Sequence, residues 1–377
     1  MKILMLVNWK IKYANSVPEG VQPPDYYVSS EKYWFFRYFK DQDVAVDVVD
    51  VSSFKWLENF ELNKIRFYIW QTLRVLPKLR KYDLVISHGM QSGIALCLLR
   101  RIFEKGKYKH IVFDIGAFNS AKEEGKALKL MQYASKSIDG VIYHTKSQVD
   151  YYKKCHPWLM DKCYYVPFGT DTEFFGNNKI AGTENTSAKN ARVENTIATD
   201  PYILCVGSNK RDWKTLVEAY RLTGQKYKLR LIGNTDAEVL NMVKSANGES
   251  NNKNIEILDR VSIEELKNQI SNAKFCVLPL KYMNYSFGQM TLLQQMALKK
   301  AVIVADVPSV SEYLNNDWNV KYIPENTASL RDKLEILMQD ESLCNRLGDN
   351  ASEAVMNRYN ERIMAEKIEE IISKFVK

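Results

Sequence analysis

The chain has 377 residues and a formal net charge of +8, a length that exceeds one ordinary core and predicts two domains. Hydrophobic residues make up 46% and charged residues 26%, which is typical of a soluble globular protein. No run of about 18 apolar residues occurs, so a membrane-spanning helix is not expected. Residues 1–8 lack the apolar stretch and cleavage site of a signal peptide, and we interpret them as a first buried strand.

The charge is uneven along the chain. Residues 1–172 contain 26 Lys and Arg against 18 Asp and Glu, whereas residues 173–377 contain 27 of each, so the whole excess of +8 lies in the N-terminal half. That half is therefore expected to meet an anionic partner. The six cysteines are scattered without paired spacing, which indicates reduced thiols and gives no expectation of a metal site.

Short apolar runs alternate with amphipathic stretches from one end of the chain to the other. This pattern predicts βαβ units and two doubly wound parallel sheets. The runs are residues 1–8, 43–51, 82–89, 109–116 and 140–145 in the first half, and residues 201–208, 228–234, 254–261, 274–280 and 300–306 in the second.

The composition changes between the two sets of strands. Residues 176–200 are rich in Asn, Thr and Ala, so we assign 173–200 as a linker or insertion between domains 1–172 and 201–356. Residues 357–377 carry a helical pattern and are expected to pack back on the N-terminal domain. Ligands of open α/β sheets bind beyond the carboxyl ends of the strands, so the residues just after each run are the candidates for a site.

The second half of the chain resembles the donor half of family 4 glycosyltransferases of the GT-B fold. The resemblance covers most of 164–325 and is carried by ILCVGSNKRDWKTLVEAY, LRLIGN, IEILDRV and FGQMTLLQQMALKKAVIVADVP in order, with the upstream YYVPFGTDTEFF similar to the family's hinge signature. The resemblance implies a GT-B fold, with two Rossmann-like domains facing across a cleft. It also implies transfer of a sugar from a nucleotide sugar, retention at the anomeric carbon and no essential metal.

The family's Glu-x7-Glu motif is absent from this chain. Ser286 and Gln294 stand at its two positions, and the chain resembles more closely a subset with Gly-Gln-x-Thr there. Gly288, Gln289, Met290 and Thr291 would form a helix start whose N–H groups bind a diphosphate, with Gln294 on ribose hydroxyls. The alternative is a helix cap at Ser286 with a surface Gln.

The turn GSNKRD is the second expected phosphate element. By resemblance Gly207 and Ser208 open the turn, and Arg211, with Lys210 second, neutralises the leaving diphosphate. The alternative for Arg211 is a solvated basic turn, and Asp212 is expected to be a helix N-cap. Two further donor-binding positions by resemblance are Asn234 and the pair Arg260 and Val261, the latter at the nucleobase.

The N-terminal half offers weaker candidates. His88 follows a strand and is expected at the cleft, where it would bond a phosphate or an acceptor hydroxyl, or else be a satisfied strand-end histidine. Asp114 is expected to position the acceptor, or else to cap a turn. We interpret His144 as structural. Gly20, in the loop after the first strand, would approach a phosphate on the acceptor side.

Residues 32–40 and 64–81 mix aromatic and basic residues, which is typical of an interfacial membrane segment, although a core-facing aromatic stripe fits equally well.

The sequence therefore predicts a metal-independent glycosyltransferase that needs no cofactor beyond its nucleotide-sugar co-substrate. Its acceptor would be a glycan or lipid-linked sugar in cell-surface polysaccharide or glycolipid synthesis, and no nucleic-acid partner is expected. It would be cytoplasmic, with possible contact at the inner membrane face. The alternative is a catalytically degenerate GT-B domain that binds a glycan or acts as a scaffold.

Overall fold

A computed structural model describes residues 1–102, 108–120, 123–176, 200–207, 210–233, 237–248 and 254–376. Two six-stranded sheets, parallel throughout, organise these residues. Both are covered by helices, which confirms the predicted α/β architecture of two Rossmann-like domains in the GT-B arrangement.

The first sheet has the strand order β4-β1-β5-β6-β7-β8, and a small pair, β2-β3, lies beside it. Its central strands are buried along almost their whole length and are mainly apolar, as is usual for parallel strands covered on both faces. The strands are β1 Lys2–Leu6, β2 Lys12–Ala14, β3 Tyr26–Val28, β4 Ala45–Val49, β5 Leu84–His88, β6 Lys109–Asp114, β7 Gly140–Tyr143 and β8 Cys163–Tyr165.

The second sheet has the order β11-β10-β9-β12-β13-β14 and is built on one continuous apolar core. Its strands are β9 Tyr202–Gly207, β10 Lys228–Gly233, β11 Ile255–Leu258, β12 Phe275–Leu278, β13 Val302–Ala305 and β14 Asn319–Tyr322.

Helices connect the strands. They are α1 Lys55–Phe60, α2 Ile69–Val75, α3 Met90–Ile102, α4 Lys126–Ser135, α5 Gln148–Cys155, α6 Thr172–Phe175, α7 Trp213–Arg221, α8 Ala237–Asn247, α9 Ile263–Asn272, α10 Gln289–Ala297, α11 Thr327–Gln339, α12 Glu341–Arg358 and α13 Glu361–Ser373. A π-helical turn Glu61–Ile65 and 3₁₀ turns at Trp34–Tyr38, Leu76–Lys81, Pro157–Lys162 and Pro308–Tyr313 complete the set. The predicted N-cap is confirmed, since the Asp212 carboxylate accepts from the Thr215 N–H at the start of α7. None of the helices within the described ranges has the length and apolar character needed to cross a membrane.

The last helix, α13, packs on the first sheet rather than the second. Its buried side chains Met364, Ile368 and Ile372 belong to the core cluster that contains β1 and the turn Trp34–Tyr38. A bridge between Thr170 and Asn360 holds the chain at this crossing. The C-terminal helix is therefore part of the core of the N-terminal domain.

Residues 32–40 do not face solvent with their aromatic rings. Tyr33, Trp34, Phe35, Phe36 and Phe39 are all buried, because the turn inserts them between the first sheet and α13. The membrane interpretation of this segment is therefore wrong, and the core-facing alternative is correct.

The two domains touch along the carboxyl ends of their sheets. Gln289, at the start of α10, donates to the Thr145 hydroxyl at 2.7 Å, and the Tyr313 hydroxyl donates to the His144 carbonyl at 3.1 Å. The Tyr285 ring lies where a side chain on Gly116 would stand. These contacts enclose the cleft in which the sequence predicts the site.

Candidate functional site

A cavity of about 510 Å³ opens at the carboxyl end of the second sheet. We call it the arginine cavity, after Arg211. Half of its lining is apolar, and none of the described residues that line it is Asp or Glu. They are Ile115, Phe168, Val206, Gly207, Arg211, Ile232, Gly233, Arg260, Val261, Leu266, Ser286, Phe287, Gly288, Gln289, Met290 and Thr291.

Arg211 is held rigidly although it carries a charge in a buried place. Its residue is 5% exposed, its Nε donates to the Val206 carbonyl at 3.0 Å, and its Nη2 donates to the Thr291 hydroxyl at 3.3 Å. Burial lowers the pKa of the guanidinium from its usual value. Within the described ranges no carboxylate forms an ion pair with Arg211, so the guanidinium is available to pair with an anion from outside the chain.

Close approach explains why glycine stands at the ends of β9 and β10. The Arg211 side chain occupies the place that a Cβ on Gly207 would need, and a Cβ on Gly233 would meet the Gly207 carbonyl. The paired strand ends therefore leave room for the guanidinium and for the cavity beside it.

The start of α10 forms the opposite wall. Gly288 is its N-cap with φ of 91°, a left-handed conformation, and a side chain there would meet Leu280 at 2.8 Å. The first N–H groups of a helix lack intrahelical partners and favour anions. Since Gly288 rather than Ser286 caps the helix, the alternative of a Ser286 cap is wrong.

The predicted residues of this loop divide between two directions. Ser286, Met290 and Thr291 line the arginine cavity. The Gln289 side chain turns away and donates to the Thr145 hydroxyl and to the Ser309 carbonyl at 2.6 Å, so its amide joins the domains. The cavity therefore meets only other parts of Gln289.

Three more predicted donor residues have defined positions. Arg260 and Val261 line the same cavity, and the Lys210 ammonium lies 5.2 Å from the Phe287 ring centre without lining it. Ser208 and Asn234 lie outside the described residues.

A second cavity of about 360 Å³ adjoins the first and shares Ile115, Phe168, Ser286 and Met290 with it. We call it the indole cavity, after Trp9 and Trp34. Gln294 lines this cavity and not the arginine cavity. Gln294 therefore does not line the position expected for a ribose beside Arg211.

His88, the last residue of β5, lies in the wall of the indole cavity, at the cleft as the sequence predicted. Its ring is 4.8 Å from that of Trp9 and 5.6 Å from that of Trp34, and its Nδ1 is buried without a partner in the structure. Burial lowers the pKa of His88 to about 3, so the ring is neutral at physiological pH. A neutral imidazole offers one donor and one acceptor.

His144 lines the same cavity, and its Nδ1 lies 2.8 Å from the Val166 carbonyl. Burial lowers its pKa to about 4. The bond to Val166 fixes the ring, which fits the structural interpretation.

Asp114 lies outside both cavities. One carboxylate oxygen accepts from the Gly116 and Ala117 N–H groups, and the other accepts from the Tyr152 hydroxyl at 2.5 Å and from the Gln148 amide at 3.0 Å. The residue is fully buried, and burial raises its pKa despite these bonds. The carboxylate is therefore saturated, which corresponds to the turn interpretation and not to contact with an acceptor.

Gly20 also lies outside both cavities. It has φ of 72°, and its nearest neighbour is a carboxylate oxygen of Glu264 on α9, 3.7 Å from where a Cβ would stand. A position facing a carboxylate does not suit a phosphate, so the structure does not bring Gly20 to the acceptor side.

Several cavity residues were missed by the sequence interpretation. Phe287 stacks beneath Arg211, with 5.3 Å between the guanidinium carbon and the ring centre, and Trp9 and Trp34 wall the indole cavity. Trp9 was open to prediction, because it follows β1 at the carboxyl end of the sheet. Trp34 gave no such signal, since it reaches the cavity from a 3₁₀ turn between two strands.

The fold defines a two-domain GT-B architecture, with an acid-free cavity around Arg211 at the carboxyl end of the second sheet. Residues 187–354, which contain the whole second sheet, match the family model of glycosyl transferases group 1. A search of curated proteins gives no significant match.

Solved structures share the fold over nearly the whole chain. A glycosyltransferase from Rickettsia africae is 17% identical with a TM-score of 0.71, covering 100% of this chain and 98% of its own. Sucrose-phosphate synthase from Thermosynechococcus elongatus is 16% identical with a TM-score of 0.67, covering 99% of each chain. HepE from Anabaena, solved in complex with UDP, is 12% identical with a TM-score of 0.69, covering 99% of this chain and 100% of its own. At these identities the likeness shows the fold alone.

Proposed function

We propose that the protein is a glycosyltransferase that moves a sugar from a nucleoside-diphosphate sugar to a hydroxyl acceptor, with retention at the anomeric carbon. The single observation that carries this proposal is the buried Arg211 guanidinium. It has no carboxylate partner in the described ranges, and it packs against the first turn of α10. A desolvated cation and a helix N-terminus aimed into one acid-free cavity suit a diphosphate better than any neutral ligand.

The proposed chemistry is electrostatic. Arg211 and the free N–H groups of α10 stabilise charge as the sugar–phosphate bond breaks and the diphosphate departs. Phe287 keeps water from one face of the guanidinium, which strengthens its attraction for phosphate. His88, in the wall of the adjoining indole cavity, is assigned to bond the acceptor hydroxyl. Arg260 and Val261 are assigned to the nucleobase.

HepE from Anabaena has been solved in complex with UDP, with UDP and glucose, and with UDP-glucose. UDP is therefore the first nucleotide to test, and the family match of the second domain supports a nucleotide-sugar donor. The proposal includes independence from metal ions, because the arginine and the helix supply the neutralising charge.

Calorimetric titration of UDP, GDP, CDP and ADP in the presence of EDTA tests the donor site. We expect micromolar binding of one nucleotide, weakened about 10- to 100-fold by Arg211→Ala and less by Arg211→Lys, since a lysine keeps the charge but loses the paired donors. Arg331→Ala, on the exposed face of α11, is the control and should bind as the wild type does. Failure of all four nucleotides to bind would favour the alternative of a degenerate scaffold domain.

We also propose that the N-terminal domain associates with anionic membranes, in keeping with a role in cell-surface polysaccharide or glycolipid synthesis at the inner membrane face. Seven large apolar side chains between residues 54 and 76 are exposed to solvent, at 37% or more each. They form what we call the α1–α2 surface, and they are Phe54, Trp56, Phe60, Leu62, Ile69, Leu73 and Leu76.

Charge supports a lipid partner for the α1–α2 surface. Residues 54–81 contain seven Lys and Arg against two glutamates. Glu58 pairs with Lys10, and Glu61 is buried where it accepts from the Trp70 N–H. Of the cations, Arg74 pairs with Asp50. Exposed apolar groups interleaved with an excess of cations are the combination that anionic headgroups attract.

Sedimentation with phosphatidylglycerol vesicles tests this association. Binding should weaken with salt and be lost in the double variant Trp56→Gln/Leu73→Gln, while Ile323→Gln, at a side chain 63% exposed on the other domain, leaves it unchanged. Equal binding to uncharged phosphatidylcholine vesicles, or none to either, would contradict the proposal.

A further inference from the structure

The indole cavity differs from the arginine cavity in the sign of its charges. Three carboxylates line it, those of Asp25, Asp171 and Glu361, and among its described lining residues there is neither Lys nor Arg. The two cavities share a wall, so a molecule passing from one to the other crosses from a cationic to an acidic environment.

The nearest cation is already occupied. The Arg37 Nη2 donates to Asp171 at 2.8 Å and to Glu361 at 2.6 Å, and Arg37 does not line the cavity. Its charge is therefore taken up by two of the carboxylates that line the cavity. An anionic group entering the cavity would lose its water without gaining a cation, which is costly.

The remaining lining suits a sugar. The rings of Trp9 and Trp34 meet edge to face, 6.0 Å apart, and present flat apolar surface. His88, 7% exposed, carries a buried Nδ1 without a partner in the structure, so one of its polar atoms is not served by the protein. Gln294 and Asp25 add an amide and a carboxylate, and each can bond sugar hydroxyls.

We infer that the indole cavity receives the acceptor and selects an uncharged sugar unit, excluding units that carry a phosphate or a carboxylate. This inference rests on the proposed transfer function and adds the chemical class of the acceptor. The acceptor's reacting unit stacks on Trp9, and its hydroxyls bond His88, Gln294 and Asp25. Any phosphate on a longer acceptor lies outside the cavity, towards the α1–α2 surface. That surface lies near Trp9, because the next residue, Lys10, forms an ion pair with Glu58 on α1.

The test is saturation-transfer NMR on the whole protein with saturating nucleoside diphosphate. The probes are methyl glycosides of glucose, galactose, mannose and N-acetylglucosamine, each compared with its 6-phosphate, and methyl glucuronide. We expect saturation transfer from the protein to at least one uncharged glycoside, and we expect its 6-phosphate to bind at least tenfold more weakly. Trp9→Ala should abolish the transfer, and Trp9→Phe should retain part of it.

Asp25→Asn is the charge variant, because Asp25 lies on a loop and has no ion pair among the described residues. It should reduce the discrimination against the 6-phosphate at least threefold. Glu19→Gln, an exposed carboxylate on the same loop outside the cavity, should leave it unchanged.

Nucleotide binding by calorimetry separates the two levels of the proposal. If no nucleotide binds, the transfer function fails. If a nucleotide binds but phosphorylated or carboxylated glycosides bind as well as the uncharged ones, or no uncharged glycoside binds, the inference about the acceptor is overturned while the donor site stands. Discrimination unaffected by Asp25→Asn would also overturn it.

Discussion

Arg211 and Thr291 come from different ends of the second domain and meet at 3.3 Å between Nη2 and Oγ1. One lies in the turn after β9, and the other in the first turn of α10. Their contact joins the two elements that we assign to the diphosphate, and it aims the guanidinium across the helix start. The hydroxyl therefore orients a cation whose other anchor is the Val206 carbonyl.

Replacing Thr291 by Val should weaken nucleotide binding about 3- to 10-fold, because the isosteric side chain removes the acceptor that orients Arg211. Fold stability should change little, since valine keeps the shape of threonine. Calorimetry with the nucleotide that binds the wild type measures the effect. Thr327→Val, at the start of α11 and outside both cavities, is the matched control.

Gly288→Ala should lower both stability and nucleotide affinity. The residue has φ of 91°, and a Cβ would meet Leu280, so the variant must either strain the turn or shift the start of α10. We expect a loss of about 1–3 kcal/mol in the free energy of unfolding.

Gly248→Ala is the matched control for Gly288→Ala, because Gly248 is also left-handed, with φ of 61°, but has open space where a Cβ would stand. Urea unfolding and calorimetry together decide the question. A Gly288→Ala protein that binds nucleotide as tightly as the wild type would remove the helix start from the site.

The architecture could be predicted from the sequence, and the second domain could be predicted in more detail than the first. Apolar runs marked the central strands, because parallel strands are buried along their whole length, and Arg211 could be placed from the turn after β9. Asp114 could not, since its saturation depends on Tyr152 and Gln148, a helix later in the chain. The indole cavity was equally hidden, because Trp9, Trp34 and Gln294 approach one another only once both domains and α13 have packed.

Gln289 shows how the same limit works within a predicted motif. Its position favoured a donor-binding role, whereas its side chain bonds the other domain through Thr145. Gln289→Leu should cost about 1–3 kcal/mol in the free energy of unfolding, because it removes two buried hydrogen bonds, to the Thr145 hydroxyl and to the Ser309 carbonyl, and leaves these two groups only their 3.3 Å bond to each other.

A double-mutant cycle of Gln289→Leu with Thr145→Val measures the contact between the domains. The two changes should be less costly together than their sum, since each removes the partner of the other. Gln339→Leu, on the exposed end of α11, is the control for the substitution itself. Strict additivity would show that the amide does not hold the domains together.

The four histidines are expected to lower the stability of the folded protein at acid pH. Burial lowers the pKa of His88 and His110 to about 3 and of His144 and His156 to about 4, from 6.5 in the unfolded chain. Below pH 6.5 the unfolded chain therefore binds protons that the folded chain does not. Stability from these groups is present above pH 6.5 and is lost as the pH falls towards 4, by up to about 1.4 kcal/mol per pH unit for each histidine.

His156 allows this loss of stability to be measured one proton at a time. Its ring is buried among Phe118, Tyr151 and Trp158, and both of its nitrogens lack partners in the structure. His156→Phe replaces an unsatisfied polar ring by an apolar ring of similar shape, so we expect a gain in the free energy of unfolding that grows as the pH is lowered from 7 to 5. The contribution of Glu361 to the free energy of unfolding changes with pH in the opposite direction, because burial raises its pKa to about 7. This contribution is the same in both proteins and cancels in the comparison. Urea unfolding at each pH gives the difference, and Tyr133→Phe on exposed α4 is the control. A difference between His156→Phe and the wild type that stays constant across this pH range would mean that His156 titrates normally in the folded protein.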